Sequence, residues 1–178
     1  HHLDYPDAVI HFATASGRLT VNREGDWLTL DFPAGQTEER EPPAAMLSAL
    51  GIDSYLHARK GRAWLIELAS RDRVEALRPN IAAMTPGEHK VTVTAAGSGE
   101  YDFVSRFFSP GEAVWEDPVT GSAHTMLIPY WSAKLGKTHL LARQVSARGG
   151  DIRCQLKGER VLMSGQAVTY LNGVITLR

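Results

Sequence analysis

The stretch Glu116-Asp117-Pro118-Val119-Thr120-Gly121-Ser122-Ala123-His124 gathers carboxylates, two hydroxyls, a glycine and an imidazole just ahead of an apolar run. Met126, Leu127, Ile128, Tyr130, Trp131, Ala133 and Leu135 leave little polar face before Gly136. This spacing predicts a helix over about 121–135, buried because it is apolar almost all round and stopped by Gly136. The first turn of such a helix carries unpaired N–H groups and the positive end of its dipole. Gly121 lets backbone come close to a ligand, and Thr120 and Ser122 add hydroxyls. The pattern therefore describes an anion site with Asp117 beside it as acid or base. The same residues also fit a plain capped helix, with Thr120 or Ser122 as N-cap and Asp117 as a turn residue before Pro118. His124, one turn inside, fits a packed or surface histidine as well as a substrate contact.

The elements around this stretch read mostly as strands. Val9–Thr14, Arg18–Arg23 and Trp27–Phe32 form a meander ended by Pro33. Residues 34–43 have linker composition, which puts a domain boundary there. A short helix over Pro43–Leu50 stops at Gly51. Ile52–Arg59 and Arg62–Ala69 flank Lys60-Gly61 as a hairpin, Ser70 caps a helix through Leu77, and Pro79 begins another short one. His89–Ala96 and Tyr101–Phe108 precede the central helix. Leu140–Ala147, Asp151–Lys157, Arg160–Tyr170 and Val174–Leu177 follow it, with Asn172-Gly173 as a two-residue hairpin turn. Strands on both sides of one apolar helix predict an α+β fold, a sheet curled about that helix. Pro129 inside the helix cannot donate to the carbonyl four residues back, so a kink or irregularity is expected there.

Composition bounds the rest. The chain has 178 residues, 43% hydrophobic and 22% charged, with a net charge of −1, the profile of an ordinary globular protein with one domain or two small ones. That balance points to neither nucleic acid nor membrane as partner, and no apolar run approaches the ~20 residues of a bilayer span. The single cysteine, Cys154, rules out an internal disulfide framework and fits a reducing cytosol; in a strand, it reads as buried filler. Thr120 precedes Gly121-Ser122, so there is no G-x-S-x-G nucleophile elbow. Gly97-Ser98-Gly99 lacks the third glycine of a dinucleotide motif and reads as a turn. No metal-binding spacing of histidines or cysteines supports zinc. Arg148-Gly149-Gly150 is a turn.

The run from Asp102 to Gly150, with D-F-V-S-R-F-F-S-P, E-D-P-V-T-G-S-A-H, P-Y-W, L-G-K and Q-V-S-A-R-G-G, resembles the second domain of the phenazine-biosynthesis PhzF-like family. The likeness continues through Gly158–Val161 and Gly165-Gln166-Ala167-Val168, and Ser16–Val21 with Leu30-Asp31-Phe32-Pro33 resemble the end of that family's first domain. The resemblance implies a diaminopimelate epimerase-like roll, used twice in pseudo-symmetric halves. Here 1–33 would be a remnant of the first domain, 43–170 the second domain, and 171–178 a terminal strand returning to the first. It also implies a cytoplasmic, homodimeric, cofactor-free isomerase that moves a proton on a small carboxylate-bearing substrate, with no metal. Asp117 and Ser122 fall on the motif's catalytic positions. Gly121 supplies backbone to the substrate carboxylate, with Thr120 and His124 as further substrate contacts, and Arg106 is a supporting candidate. The family's first-domain glutamate and G-H-A-T motif are not found; His11-Phe12-Ala13-Thr14 lacks the preceding glycine. The chain thus reads as an N-terminally truncated member, with the second acid/base group unassigned and neither Glu112 nor Glu116 taken to fill it. The rival reading is a truncated non-catalytic member acting as an anion-binding or dimerisation module.

Overall fold

A computed structural model of the chain describes residues 7–15, 17–84 and 90–176. Three antiparallel strands open it: β1 (Val9–Thr14), β2 (Gly17–Glu24) and β3 (Trp27–Pro33). After the short β4 (Glu38–Glu39) comes α1 (Ala44–Leu50), which ends at Gly51 in the left-handed conformation. β5 (His57–Lys60) and β6 (Trp64–Glu67) form a hairpin. α2 (Arg71–Ala76) is capped by the Ser70 hydroxyl, which accepts from the Arg73 N–H. A 3₁₀ turn (Ile81–Ala83), β7 (Val91–Ala96), β8 (Phe103–Phe108) and β9 (Glu116–Asp117) lead into the central helix α3 (Gly121–Leu135). β10 (His139–Gln144), β11 (Gly150–Lys157) and β12 (Arg160–Gln166) complete the described strands.

All these strands join one mixed, open sheet in the order β1-β2-β3-β12-β11-β10-β8-β7-β6-β5-β4, with β9 on β8. The β6–β7 and β8–β10 pairs are parallel and the others antiparallel. The architecture is α+β with a mostly antiparallel sheet, and α3 has the bounds expected of the buried helix. Side chains from β3, β12, β11, β10, β8 and β6 all meet it: Leu30, Phe32, Val161, Met163, Cys154, Ile152, Leu140, Ala142, Phe103, Phe107 and Leu65 share one core with Ala123, Met126, Leu127, Ile128 and Trp131. Leu127 is fully buried and Trp131 is 1% exposed. The other face of β6–β8 packs on α1 and α2 through Trp64, Ile66, Val91, Val93, Val104 and Phe108. That split follows from the period-two alternation of strand side chains.

A helix enclosed in this way needs partners for its polar atoms. Pro129 has no N–H, which leaves the Thr125 carbonyl without its helical donor. The Gly35 N–H takes that carbonyl at 2.9 Å, and the helix runs on unbroken. Only glycine permits the approach, because a Cβ at position 35 would lie 2.9 Å from Met126 Cγ and 3.1 Å from Thr125 Oγ1. Trp131 Nε1 donates to Thr94 Oγ1 at 3.0 Å, and that hydroxyl donates to the Val104 carbonyl at 2.6 Å. Near the C-terminal end, the buried Glu67 carboxylate accepts from Tyr130 Oη and binds Lys134 Nζ at 2.5 Å. Burial and the Glu67 charge push the Tyr130 hydroxyl pKa upward, so it stays a donor.

Several boundaries differ from the sequence reading. The first hairpin strand starts at His57, not Ile52; residues 52–56 are loop, with Leu56 more than half exposed. β12 stops at Gln166, and residues 167–176 form no strand, so neither the Asn172-Gly173 hairpin nor a strand at 174–176 is present. The reason lies in register: Gln166 faces Trp27, the first residue of β3, so the ladder runs out there. Strand propensity beyond that point has no neighbour to pair with. Ser16, His89 and Leu177, at the ends of expected segments, lie outside the described residues.

Truncating the centre of the helix tests this packing. Leu127→Ala should cost about 2–5 kcal/mol in urea unfolding, the range for a large-to-small change in a filled core. A loss below ~1 kcal/mol would be that of a partly exposed position.

Candidate functional site

A cleft of about 670 Å³ opens at the N-terminal end of α3, and Asp117, Thr120 and Ser122 line it together with Ala123, Met126, Phe107 and Ser109. Asp117 arrives on β9, which pairs with Phe107 and Phe108 at the end of β8. Thr120 occupies the N-cap position, but its hydroxyl does not cap the helix. It donates instead to Asp117 Oδ2 at 2.9 Å. The first turn of α3 thus has no side-chain cap, and Thr120, Ser122 and Ala123 set that turn, with its unpaired N–H groups and positive dipole end, at the cleft. Gly121 is the first helical residue; a Cβ there would make only an ordinary contact, with Leu30 Cδ1 at 4.0 Å, and Gly121 itself is not among the residues that line the cleft.

Buried side chains from distant strands hold the 117–120 loop. Gln144, at the end of β10, is fully buried. Its Oε1 accepts from the Thr120 N–H at 2.8 Å. Its Nε2 donates to the Asp117 carbonyl at 2.5 Å and to Thr120 Oγ1 at 3.1 Å. One amide thereby fixes the backbone on both sides of Pro118 and the hydroxyl that contacts the Asp117 carboxylate. Ser146 Oγ donates to the Pro118 carbonyl at 2.8 Å. On the other flank Arg106 and Glu116 form a two-pronged pair, Nε to Oε1 at 2.7 Å and Nη2 to Oε2 at 2.9 Å. Arg106 Nη1 also donates to the Val74 and Leu77 carbonyls at the end of α2. Glu116 is therefore engaged structurally, one residue from Asp117, and Glu112 is paired with Lys90 at 3.0 Å.

His124 does not reach the cleft. It is completely buried beneath the first turn, against Phe103 at 6.0 Å between ring centroids. Its Nδ1 lies 2.7 Å from the Thr120 carbonyl, which can only accept, so Nδ1 carries the hydrogen. Burial pushes its pKa down to about 4, against the opposing pull of that carbonyl. The ring is neutral at pH 7 and belongs to the core rather than to the substrate contacts. Cys154 is likewise buried on β11, and burial raises its thiol pKa.

The fold brings Asp117, Thr120 and Ser122 of the sequence reading to one cleft, and Gln144 and Ser146, which that reading did not contain, support them. Gln144 lies 24 residues from Thr120, and no local spacing signals that contact. Among the described residues no helix is long and apolar enough to cross a membrane.

The model of the phenazine biosynthesis-like protein family matches residues 6–173. The chain is 44% identical over 177 residues to an uncharacterized isomerase of Pseudomonas aeruginosa, covering 99% of this chain and 68% of that protein. It is 36% identical to a phenazine biosynthesis-like domain-containing protein of Rattus norvegicus, again covering 99% of this chain and 68% of the other. The crystal structure of a PhzF family protein from Enterococcus faecalis superposes with a TM-score of 0.88 at 36% identity, over 98% of this chain and 68% of that one. The chain therefore spans about two thirds of the length of these relatives.

Two measurements check the site. Gln144→Leu strips partners from the Thr120 N–H and the Asp117 carbonyl and should lower stability by about 2–6 kcal/mol, at ~1–3 kcal/mol per orphaned group; a loss under ~0.5 kcal/mol would mean the clamp carries nothing. For His124, the unfolded chain takes up a proton below pH 6.5 that the folded ring refuses until about 4. Stability should fall as pH drops through that window, by about 3 kcal/mol in total from this group, and no further below it. Urea unfolding at pH 7 and pH 4 should show a smaller loss in His124→Asn than in the parent. Equal losses would exclude His124 as the source.

Proposed function

The chain belongs to the phenazine-biosynthesis-like PhzF family, and from this premise we propose that it carries the acid/base half of a cofactor-independent isomerase. The substrate is a small carboxylate-bearing molecule. Its carboxylate sits at the uncapped start of α3, near Gly121 and Ser122, and Asp117 gives or takes a proton at carbon. The single observation that carries this reading is the Asp117–Thr120–Ser122 wall of the cleft, with the N-cap hydroxyl turned toward Asp117 instead of the helix. Proton removal beside a carboxylate builds negative charge, which a fixed helix terminus stabilises without reorganising. The naming of curated relatives as isomerases supports the reaction class.

Proton transfer at carbon normally needs a second group on the opposite face. In the cleft Glu112 is tied to Lys90, which favours a second group from elsewhere in the whole protein. We read the β1–β3 meander and segment 171–176, whose Leu171, Val174 and Ile175 side chains are about four-fifths or more exposed, as parts of a first domain that the whole protein completes. The same occupied carboxylates support, as a second reading, a binding module without catalysis for this chain alone.

Deuterium wash-in from heavy water, run on a panel of small unsaturated and amino carboxylates, separates these readings. The whole protein should exchange, and Asp117→Asn should slow it by ~10²–10⁴-fold, the usual worth of one acid/base group. The 178-residue chain should be weak at best. Undiminished exchange in Asp117→Asn removes Asp117 from the mechanism, and full activity in the short chain rejects the need for a first-domain partner.

A further inference from the structure

The cleft extends well beyond its motif wall. Its far end lies where three strands meet their loops: Arg62 precedes β6, Lys90 precedes β7 and Ser109 follows β8, and all three line the cleft. Register brings them together, since Trp64 pairs with Val91 and Val91 with Phe108. Two cations and a hydroxyl thus share the rim where these three strands end. Lys90 holds Glu112 at 3.0 Å, which leaves its ammonium two further donors. Arg62 has no ion pair among the described residues.

Ser109 makes this rim more than a charged patch. It is 5% exposed and lines the cleft, yet its hydroxyl has no hydrogen-bond partner among the described residues. Its backbone is pinned, with the N–H donating to the Trp115 carbonyl at 2.8 Å, so it extends the β8–β9 ladder. A buried hydroxyl without a partner is a standing cost that a bound acceptor would relieve. Asp117 faces Phe107 on the same ladder, so Ser109 stands about 7 Å further along it. Ala63, Phe107 and Met126 add apolar lining to the same cleft.

We propose that this rim is a second anion subsite, where Arg62, aided by Lys90 and the Ser109 hydroxyl, holds another acidic group of the substrate. The ligand class is then a small dicarboxylate: one acid at the start of α3, a short carbon skeleton over Phe107 and Met126, and the second acid at Arg62. Arg is suited to this role because its planar fork matches a carboxylate. The inference rests on the reading of the first turn of α3 as a carboxylate site.

Calorimetric titration of the whole protein with glutarate and adipate, against butyrate and pentanoate, tests it. The dicarboxylates should bind about tenfold tighter or better, the effect of one added charge-assisted contact. Arg62→Gln should bring them to within about twofold of the monocarboxylates and leave monocarboxylate binding unchanged. Ser109→Ala should weaken dicarboxylate binding about threefold while the thermal midpoint holds or rises, because the variant removes an unpaired hydroxyl and no bond. Equal affinity for both acid types overturns the proposal, as does a dicarboxylate preference that survives Arg62→Gln. The Asp117 reading is judged separately: proton exchange that still depends on Asp117 keeps it even if the subsite falls. An Arg62-dependent preference keeps the subsite even if exchange ignores Asp117.

Discussion

Burial of α3 on every side is the constraint from which the rest of this structure follows. A helix with no polar stripe cannot lie on a surface, so strands must close around it. The sheet meets that demand by bringing residues as distant as Leu30, Leu65 and Met163 into one core. Enclosure then creates its own requirement, because each backbone or side-chain polar atom taken inside needs a partner. Gly35 for the Thr125 carbonyl and Thr94 for the Trp131 indole are the local answers. Neither would be needed if the helix were half solvated.

The same enclosure shapes the site. With residues 123–128, Trp131 and Ser132 buried, α3 is most exposed at its ends, and its first turn faces the cleft. The Thr120 hydroxyl could have satisfied that turn, as a threonine at the N-cap commonly does. Its hydrogen bond to Asp117 Oδ2 leaves the turn uncapped and orients the carboxylate instead. That exchange is held in place by Gln144, whose single amide contacts the Thr120 N–H, the Thr120 hydroxyl and the Asp117 carbonyl. The Arg106–Glu116 pair fixes the neighbouring residue from the other side. A two-pronged pair between side chains this buried is favourable when its remaining donors are met, and the carbonyls of α2 meet them. Asp117 is thereby positioned from two independent parts of the sheet, β10 and β8.

His124 shows how one motif divides its labour. Its position one turn inside the helix carries it under the loop rather than into the cleft, where its Nδ1–H supports the Thr120 carbonyl. A neutral, buried ring is suited to that task, because a charge there would be costly to desolvate. The motif D-P-V-T-G-S-A-H thus contains both the cleft wall and a strut beneath it.

The chain order of apolar residues was enough to determine α3 to its end residues, the β meander, the two capped helices and the small-residue stretch with Asp117. Those are local properties: 3.6-residue and two-residue periodicity, glycine stops and a hydroxyl at an N-cap. Composition likewise bounded the chain as an ordinary globular one. What tertiary structure alone decided is every assignment that depends on a partner far away in sequence. The strand from Arg160 ends at Gln166 because β3 begins opposite it, although Val168 and Tyr170 have strand propensity. His124 is core and not cleft because the sheet closes over that side of the helix. Gln144 becomes the support of Asp117 because the β10–β8 pairing carries it there. Periodicity tells a residue which face it is on; only the folded sheet supplies what stands opposite that face.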